Sequence, residues 1–187
     1  MVIAASAVIT VYYIDVLLHY RKNKKAVPKS GFIMNQGGDT GKIRYGFFRT
    51  SYNGCGWIAV YNAARLMGEN PRAERIISYL ESWGLLIFGV FGTFPLAAAA
   101  YFLHMGHRVK ITFDPKKYDI AAKKSAANIV WYFHSRGAHF VTVGWDGENF
   151  IGYNTYSNST APDVWGKSIS ENLRRRKKKP VLLISVS

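Results

Sequence analysis

Residues 138 to 155 constrain this chain more than any other stretch. Ala138-His139-Phe140-Val141-Thr142-Val143-Gly144-Trp145 is followed by Asp146-Gly147 and then by Glu148 to Thr155. Asp-Gly between two apolar runs signals a two-residue hairpin turn. Two strands joined this way belong to an antiparallel sheet. With Asp146 and Gly147 as the turn, Trp145 faces Glu148, Val143 faces Phe150, Val141 faces Gly152 and His139 faces Asn154. Directly paired residues share a face with Cβ atoms about 4.5–5.5 Å apart. The register would therefore set an imidazole beside a carboxamide. A longer loop would shift that pairing.

The remaining elements follow from their boundaries. A helix from Cys55 to about Met67 stops at Gly68, and Asn70-Pro71 starts another to about Trp83. Pro95 to Met105 forms a third helix ending at Gly106, and Asp114-Pro115 caps a fourth that runs to about Ala127. Ser168-x-x-Glu171 is a capping box for the last helix. Lys42 to Phe48, Arg108 to Phe113, Ile129 to His134 and Val181 to Val186 read as strands. Helices come first and antiparallel strands second, which is the α+β class. Residues 1–26 form an apolar segment with a basic flank, Val27 to Asp39 reads as a linker or loop, and residues 27–187 form one domain.

Hydrophobic residues make up 49% and charged residues 19% of the 187, which supports a packed core and excludes a disordered chain. The net charge of +14 implies attraction to anionic partners. Val2 to Tyr20, followed by Arg21-Lys22-Asn23-Lys24-Lys25, is long enough to span a membrane, although Asp15 inside it costs roughly 3 kcal/mol if central. Three readings stay open: a membrane anchor, a helix packed on the domain, or a signal segment that lacks the usual basic start. If it spans, the basic flank keeps the domain in the cytoplasm. Gly84 to Leu103 carries no charge, yet Gly89, Gly92 and Pro95 make it a loop and a core helix. Arg174-Arg175-Arg176-Lys177-Lys178-Lys179 is either a solvated face or, with Arg21 to Lys25, a contact for an anionic membrane surface. No nucleic-acid motif accompanies the charge, so nucleic acid is not the expected partner.

Cys55 is the single cysteine, in a flexible Gly54-Cys55-Gly56 loop that opens directly into a helical stretch with no charge until Arg65. The positive end of a helix dipole favours the thiolate, the nucleophilic form. A thiol also needs a base, and the base needs an orienting group. His139 and Asn154 fit those roles, with Asp146 a rival orienter better explained by the turn. Such a set would attack an acyl carbonyl, form a thioester and release an amine, and water would then free the acyl group. His104 and His107 resemble a metal pair only superficially, His134 has no assigned role, and neither metal nor cofactor is expected. Trp57, Phe91 and Trp145 are expected near an apolar cleft.

Asn53-Gly54-Cys55-Gly56 opening a helix, Gly89 to Pro95 before the third helix, Gly137 to Val143, and Asp146-Gly147 with Asn154 beyond resemble the papain-like cysteine peptidases. The likeness is greatest to the small bacterial double-glycine leader (bacteriocin-processing) peptidases and their relatives, and covers about residues 35 to 187. It implies a papain-like α+β fold, with the Cys-headed helix central and packed on a C-terminal antiparallel sheet. It also implies a peptide or protein substrate and catalysis by Cys55, His139 and Asn154. Such families commonly place a Gln six residues before the Cys to help hold the oxyanion, where this chain has Arg49. Asn53 and Gln36 are the candidates for that donor, with the Cys55 N–H as the other. Two further readings remain: a non-catalytic peptide-binding module on the same fold, hinted at by Arg49, and a transferase that passes the acyl group to an amine.

Overall fold

In the computed structural model the described residues are 2–28, 31–156 and 158–187, with side chains from residue 6 onward. Residues 29–30 of the expected linker lie outside them. The chain opens with helix α1 (Val2–Ala26). A 3-10 turn (Asp39–Lys42) leads into a small ribbon, β1 (Arg44–Tyr45) and β2 (Phe48–Arg49), where one strand was expected. Gly46 turns that ribbon at φ +61, and a Cβ there would lie 2.4 Å from the Phe88 carbonyl oxygen.

Helices α2 (Thr50–Asn53), α3 (Cys55–Leu66), α4 (Ala73–Trp83) and α5 (Pro95–His104) follow. Gly68 at φ +80 ends α3, and the Glu69 N–H reaches back to the Ala64 carbonyl, as the sequence suggested. Helix α4 begins two residues later than Asn70-Pro71 implied, because the Asn70 side chain accepts from Arg65 instead of capping the helix.

Six strands form one antiparallel sheet: β3 (Val109–Thr112), β4 (Ala127–His134), β5 (Gly137–Trp145), β6 (Phe150–Tyr153), β7 (Asp163–Gly166) and β8 (Lys179–Val186). Their order is β3-β8-β4-β5-β6-β7. Strand β7 was not legible in the sequence, since Trp165 is its one buried residue. Asp114 caps a 3-10 turn that passes into α6 (Tyr118–Lys123), shorter than expected because β4 already begins at Ala127. Ser168 caps α7 (Ile169–Arg175) by accepting from the Glu171 N–H.

The period-two alternation of the strands splits the core in two. Ile129, Phe140, Leu182 and Ile184 face α3, α4 and α5. Val130, Tyr132, Val141, Val143 and Leu183 face α6 and α7. Helices therefore cover both faces of the sheet. The central strands read as continuous apolar runs because neither face meets water.

The β5–β6 hairpin carries a correction. Trp145 pairs with Phe150 and Val143 with Gly152, so the register slips by two residues from the expected one. Asp146 does not sit in a two-residue turn. Its carboxylate accepts from the Glu148 and Asn149 N–H groups, and its own N–H donates to the Asn149 carbonyl, closing a four-residue loop. A slip of two keeps every side chain on its face. It does remove the direct pairing of His139 with Asn154, since the ladder ends at Thr142 and Tyr153.

Helix α1 packs one face on its own domain. Tyr12, Val16, His19 and Asn23 are buried. Tyr12 donates to the Glu81 carbonyl, Asn23 bonds the Arg44 backbone, and His19 Nε2 lies 3.0 Å from the buried Glu81 carboxylate. Among the described residues no helix is long and apolar enough to cross a membrane.

Candidate active site

One helical turn, α2, runs straight into α3, so Cys55 is the first residue of α3 rather than part of a flexible loop. Its two glycines serve close packing. A Cβ on Gly54 would meet the Thr50 backbone at 2.8 Å, and one on Gly56 would meet Thr93 Oγ1 at 2.0 Å. Thr93 is itself fixed by a 2.7 Å hydrogen bond with the Tyr45 hydroxyl. The α3 helix is thereby held against the 85–93 segment with Cys55 between them.

The Cys55 thiol lies against β5. The backbone N–H groups of Phe140, Gly56 and Cys55 favour the charged form of its sulfur. Burial nevertheless dominates and pushes the thiol up to about 11, against the backbone N–H groups that favour the charged form. The expected thiolate is thus not the resting form, because the helix-dipole contribution is smaller than the desolvation of a buried anion.

His139 is the residue before Phe140 on β5 and is half-buried. Burial lowers its pKa to about 4, opposed by a hydrogen bond to Asn154. That bond runs from His139 Nε2 to the main-chain carbonyl of Asn154, at 2.8 Å. A carbonyl can only accept, so the neutral ring carries its proton on Nε2 and leaves the Nδ1 lone pair free. No hydrogen bond joins the thiol to the ring. Successive strand residues point to opposite faces, so Phe140 faces α3 while His139 meets Tyr132 and His134.

Asn154 therefore differs from its expected role. It leaves the strand at φ +61, which aims its carbonyl, not its carboxamide, at the imidazole. Its Oδ1 accepts from the Gln36 N–H at 2.9 Å, and its Nδ2 is buried without a partner. The Gln36 side chain donates to the Ser51 carbonyl at 3.3 Å, next to the turn that precedes Cys55. Gln36 thus bridges the Asn154 and Cys55 sides. The Asn53 amide donates to the Tyr45 and Gly89 carbonyls, which leaves neither of its protons free for an oxyanion in this structure. Arg49 is exposed on β2, paired with Arg44.

A cleft of about 560 Å³ opens above Cys55. Tyr52, Leu86, Val90 and Phe91 form one wall, and Trp131 and Phe133 with Arg136 form the other. Phe91 lines it as expected, but Trp57 and Trp145 do not. Trp57 is fully buried and donates to Thr50, and Trp145 packs on Phe150 beneath Lys123. The first wall carries strain, with Ile87 and Phe88 at φ 47 and 55. The Phe47 N–H and the Asn53 amide anchor it at the Phe88 and Gly89 carbonyls. Sequence reasoning missed the Phe140 N–H, the Asn154 carbonyl and Arg136. The first two are backbone groups placed by register, and the only hint in the sequence is that residue 154 is Asn, which tolerates the left-handed backbone it adopts.

The remaining histidines are occupied locally. His107 Nε2 lies 2.7 Å from Glu69, His104 stacks on Tyr79, and His134 accepts from the Arg136 N–H. Among the described residues no three His, Cys, Asp or Glu side chains cluster as a metal site would require.

No family model and no curated protein matches the sequence. The fold is similar to a solved structure, the peptidase domain of Streptococcus ComA, described as a bi-functional ABC transporter involved in a quorum sensing pathway. The similarity has a TM-score of 0.51 at 18% identity, and covers 71% of this chain and 90% of that domain. The chain has the papain-like α+β fold of such a peptidase domain, with its single cysteine heading the central helix.

Proposed function

We propose that this chain is a papain-like cysteine peptidase that cleaves a peptide or amide bond through Cys55 and His139. The observation that carries the reading is a lone cysteine at the head of α3, on the floor of an apolar cleft, against Phe140, whose neighbour in β5 is His139. The thiol rests neutral. His139 Nδ1 would take its proton as the sulfur attacks the acyl carbon, because catalytic hydrogen bonds of this kind tighten when substrate binds. The carbonyl oxygen would gain the electron pair and sit against the Cys55 N–H, with the free Gln36 amide proton as second donor. The imidazolium then protonates the leaving amine, and water hydrolyses the thioester. In this reading Asn154 orients the ring through its backbone carbonyl, and its carboxamide fixes the Gln36 strap.

The test is cleavage of a peptide library read by mass spectrometry. Cys55→Ala should abolish it, and His139→Ala should lower it by about 10³ or more. Cleavage that survives Cys55→Ala would sink the reading, and absence of cleavage by the native chain would leave a peptide-binding module. Added amine trapped as a peptide adduct at the expense of hydrolysis would assign a transferase.

We also infer that the outer face of α1 rests on an anionic bilayer. Val8, Val11, Ile14, Leu17 and Leu18 are exposed there and run directly into Arg21, Lys22, Lys24 and Lys25. An apolar arc with a basic end fits an interfacial helix. Leu17→Glu with Leu18→Glu should release the chain from phosphatidylserine vesicles in sedimentation. Equal retention of that variant would refute the inference.

A further inference from the structure

Strand β3 presents two different faces. Val109 and Ile111 pack on the core beneath α5, so Arg108, Lys110 and Thr112 point to the other side. There they meet Lys117 and Lys124, which project from the 3-10 turn and α6 along with Ile120 and Ala121. The groove between them measures about 650 Å³. It is lined by four cations and by no acidic side chain. Asp114, outside the lining, lies 4.0 Å from Lys117, while Arg108, Lys110 and Lys124 have no acidic partner among the described residues.

Thr112 is the second, independent observation. It is 7% exposed and lines the groove, and its hydroxyl has no hydrogen-bond partner. A buried hydroxyl left unpaired in a folded protein calls for an explanation, and an acceptor bound in this groove supplies one. The charged side chains around the groove are all donors, so an acceptor oxygen would complete the site. Four cations along one groove favour an acceptor that carries more than one negative charge, and the wall of Ile120 and Ala121 offers room for an organic portion.

We propose that this groove binds a phosphoryl-bearing small molecule, a phosphate ester or pyrophosphate, through Arg108, Lys110, Lys117 and Lys124, with the Thr112 hydroxyl donating to a phosphoryl oxygen. The groove lies on the sheet face covered by α6 and α7, whereas Cys55 belongs to the core on the α3 side. The proposal therefore stands apart from the proposed catalysis.

Calorimetric titration of the full chain with inorganic pyrophosphate, and separately with monomeric dihexanoyl phosphatidic acid, tests it. One saturable site is expected, and the tighter of the two ligands identifies the source as a free phosphate or a lipid headgroup. Lys110→Gln with Lys124→Gln should weaken binding by about tenfold or more. Thr112→Val should weaken it by about threefold or more while keeping or raising the melting temperature, since it removes an unpaired buried hydroxyl. Arg174→Gln with Arg175→Gln removes the same charge elsewhere and should change affinity by less than about twofold. The absence of saturable heat with both ligands, or equal weakening by the two charge pairs, would overturn the proposal. Should Thr112→Val not fold, the exposed lysine pair still decides.

Discussion

At the residue scale, the site turns on which atom of Asn154 meets His139. The main-chain carbonyl does so at 2.8 Å, with the residue at φ +61. Glycine adopts that φ without strain and keeps the carbonyl in place. Asn154→Gly should therefore retain peptidase activity within about tenfold, whereas an orienting carboxamide would make its loss cost about 10²-fold or more. Kinetics with the substrate found in the library decide between the two. The thiol yields a second expectation. With burial holding Cys55 at about 11, iodoacetamide labelling of the resting protein at pH 8 should run far slower than that of free cysteine. It should rise about tenfold per pH unit toward pH 11, and match free cysteine once urea unfolds the chain. Fast labelling at pH 7 in the folded state would show that a thiolate is present after all.

At the element scale, α3 is held by contacts that leave no room for a side chain. Gly56 faces Thr93 at a distance where a Cβ cannot fit. Gly56→Ala should destabilise the fold by about 1–3 kcal/mol or more, read by urea denaturation, and Thr93→Ala in the same chain should recover part of the loss. The glycines around Cys55 were read from the sequence as a flexible loop. The sequence shows that a side chain is absent there, and only the fold shows what occupies the space. Helix α1 was likewise ambiguous from its residues alone. Its apolar length fitted an anchor, a packed helix or a signal segment, whereas Tyr12, His19 and Asn23 find partners in Glu81 and Arg44, far away in sequence.

At the scale of the whole molecule, His139 links the site to acid stability. Its folded pKa of about 4 lies below the ordinary 6.5, so between those values the unfolded chain binds more protons than the folded one. Stability is thus complete above pH 6.5 and falls as the pH drops toward 4, by at most about 3 kcal/mol. Thermal melts from pH 7 to pH 4 should fall less steeply in His139→Phe than in the native chain. Identical slopes would refute the assignment.

Local chemistry determined much of this architecture. Gly68 and Gly106 stop helices, Pro95 and Ser168 start them, and β-branched and aromatic runs mark the strands, because these signals act over a few residues. The α+β class and the prominence of Cys55 and His139 were legible for the same reason. Tertiary structure decided the rest. Two hydrogen bonds to the Asp146 carboxylate turned a two-residue turn into a four-residue loop and moved the register by two. Burial outweighed the helix dipole at Cys55. Strand β7, the helices on the second face and the cationic groove under β3 arise where segments distant in the chain meet. Local propensities carry no information about such meetings, because register, desolvation and the pairing of remote charges are properties of the assembled fold.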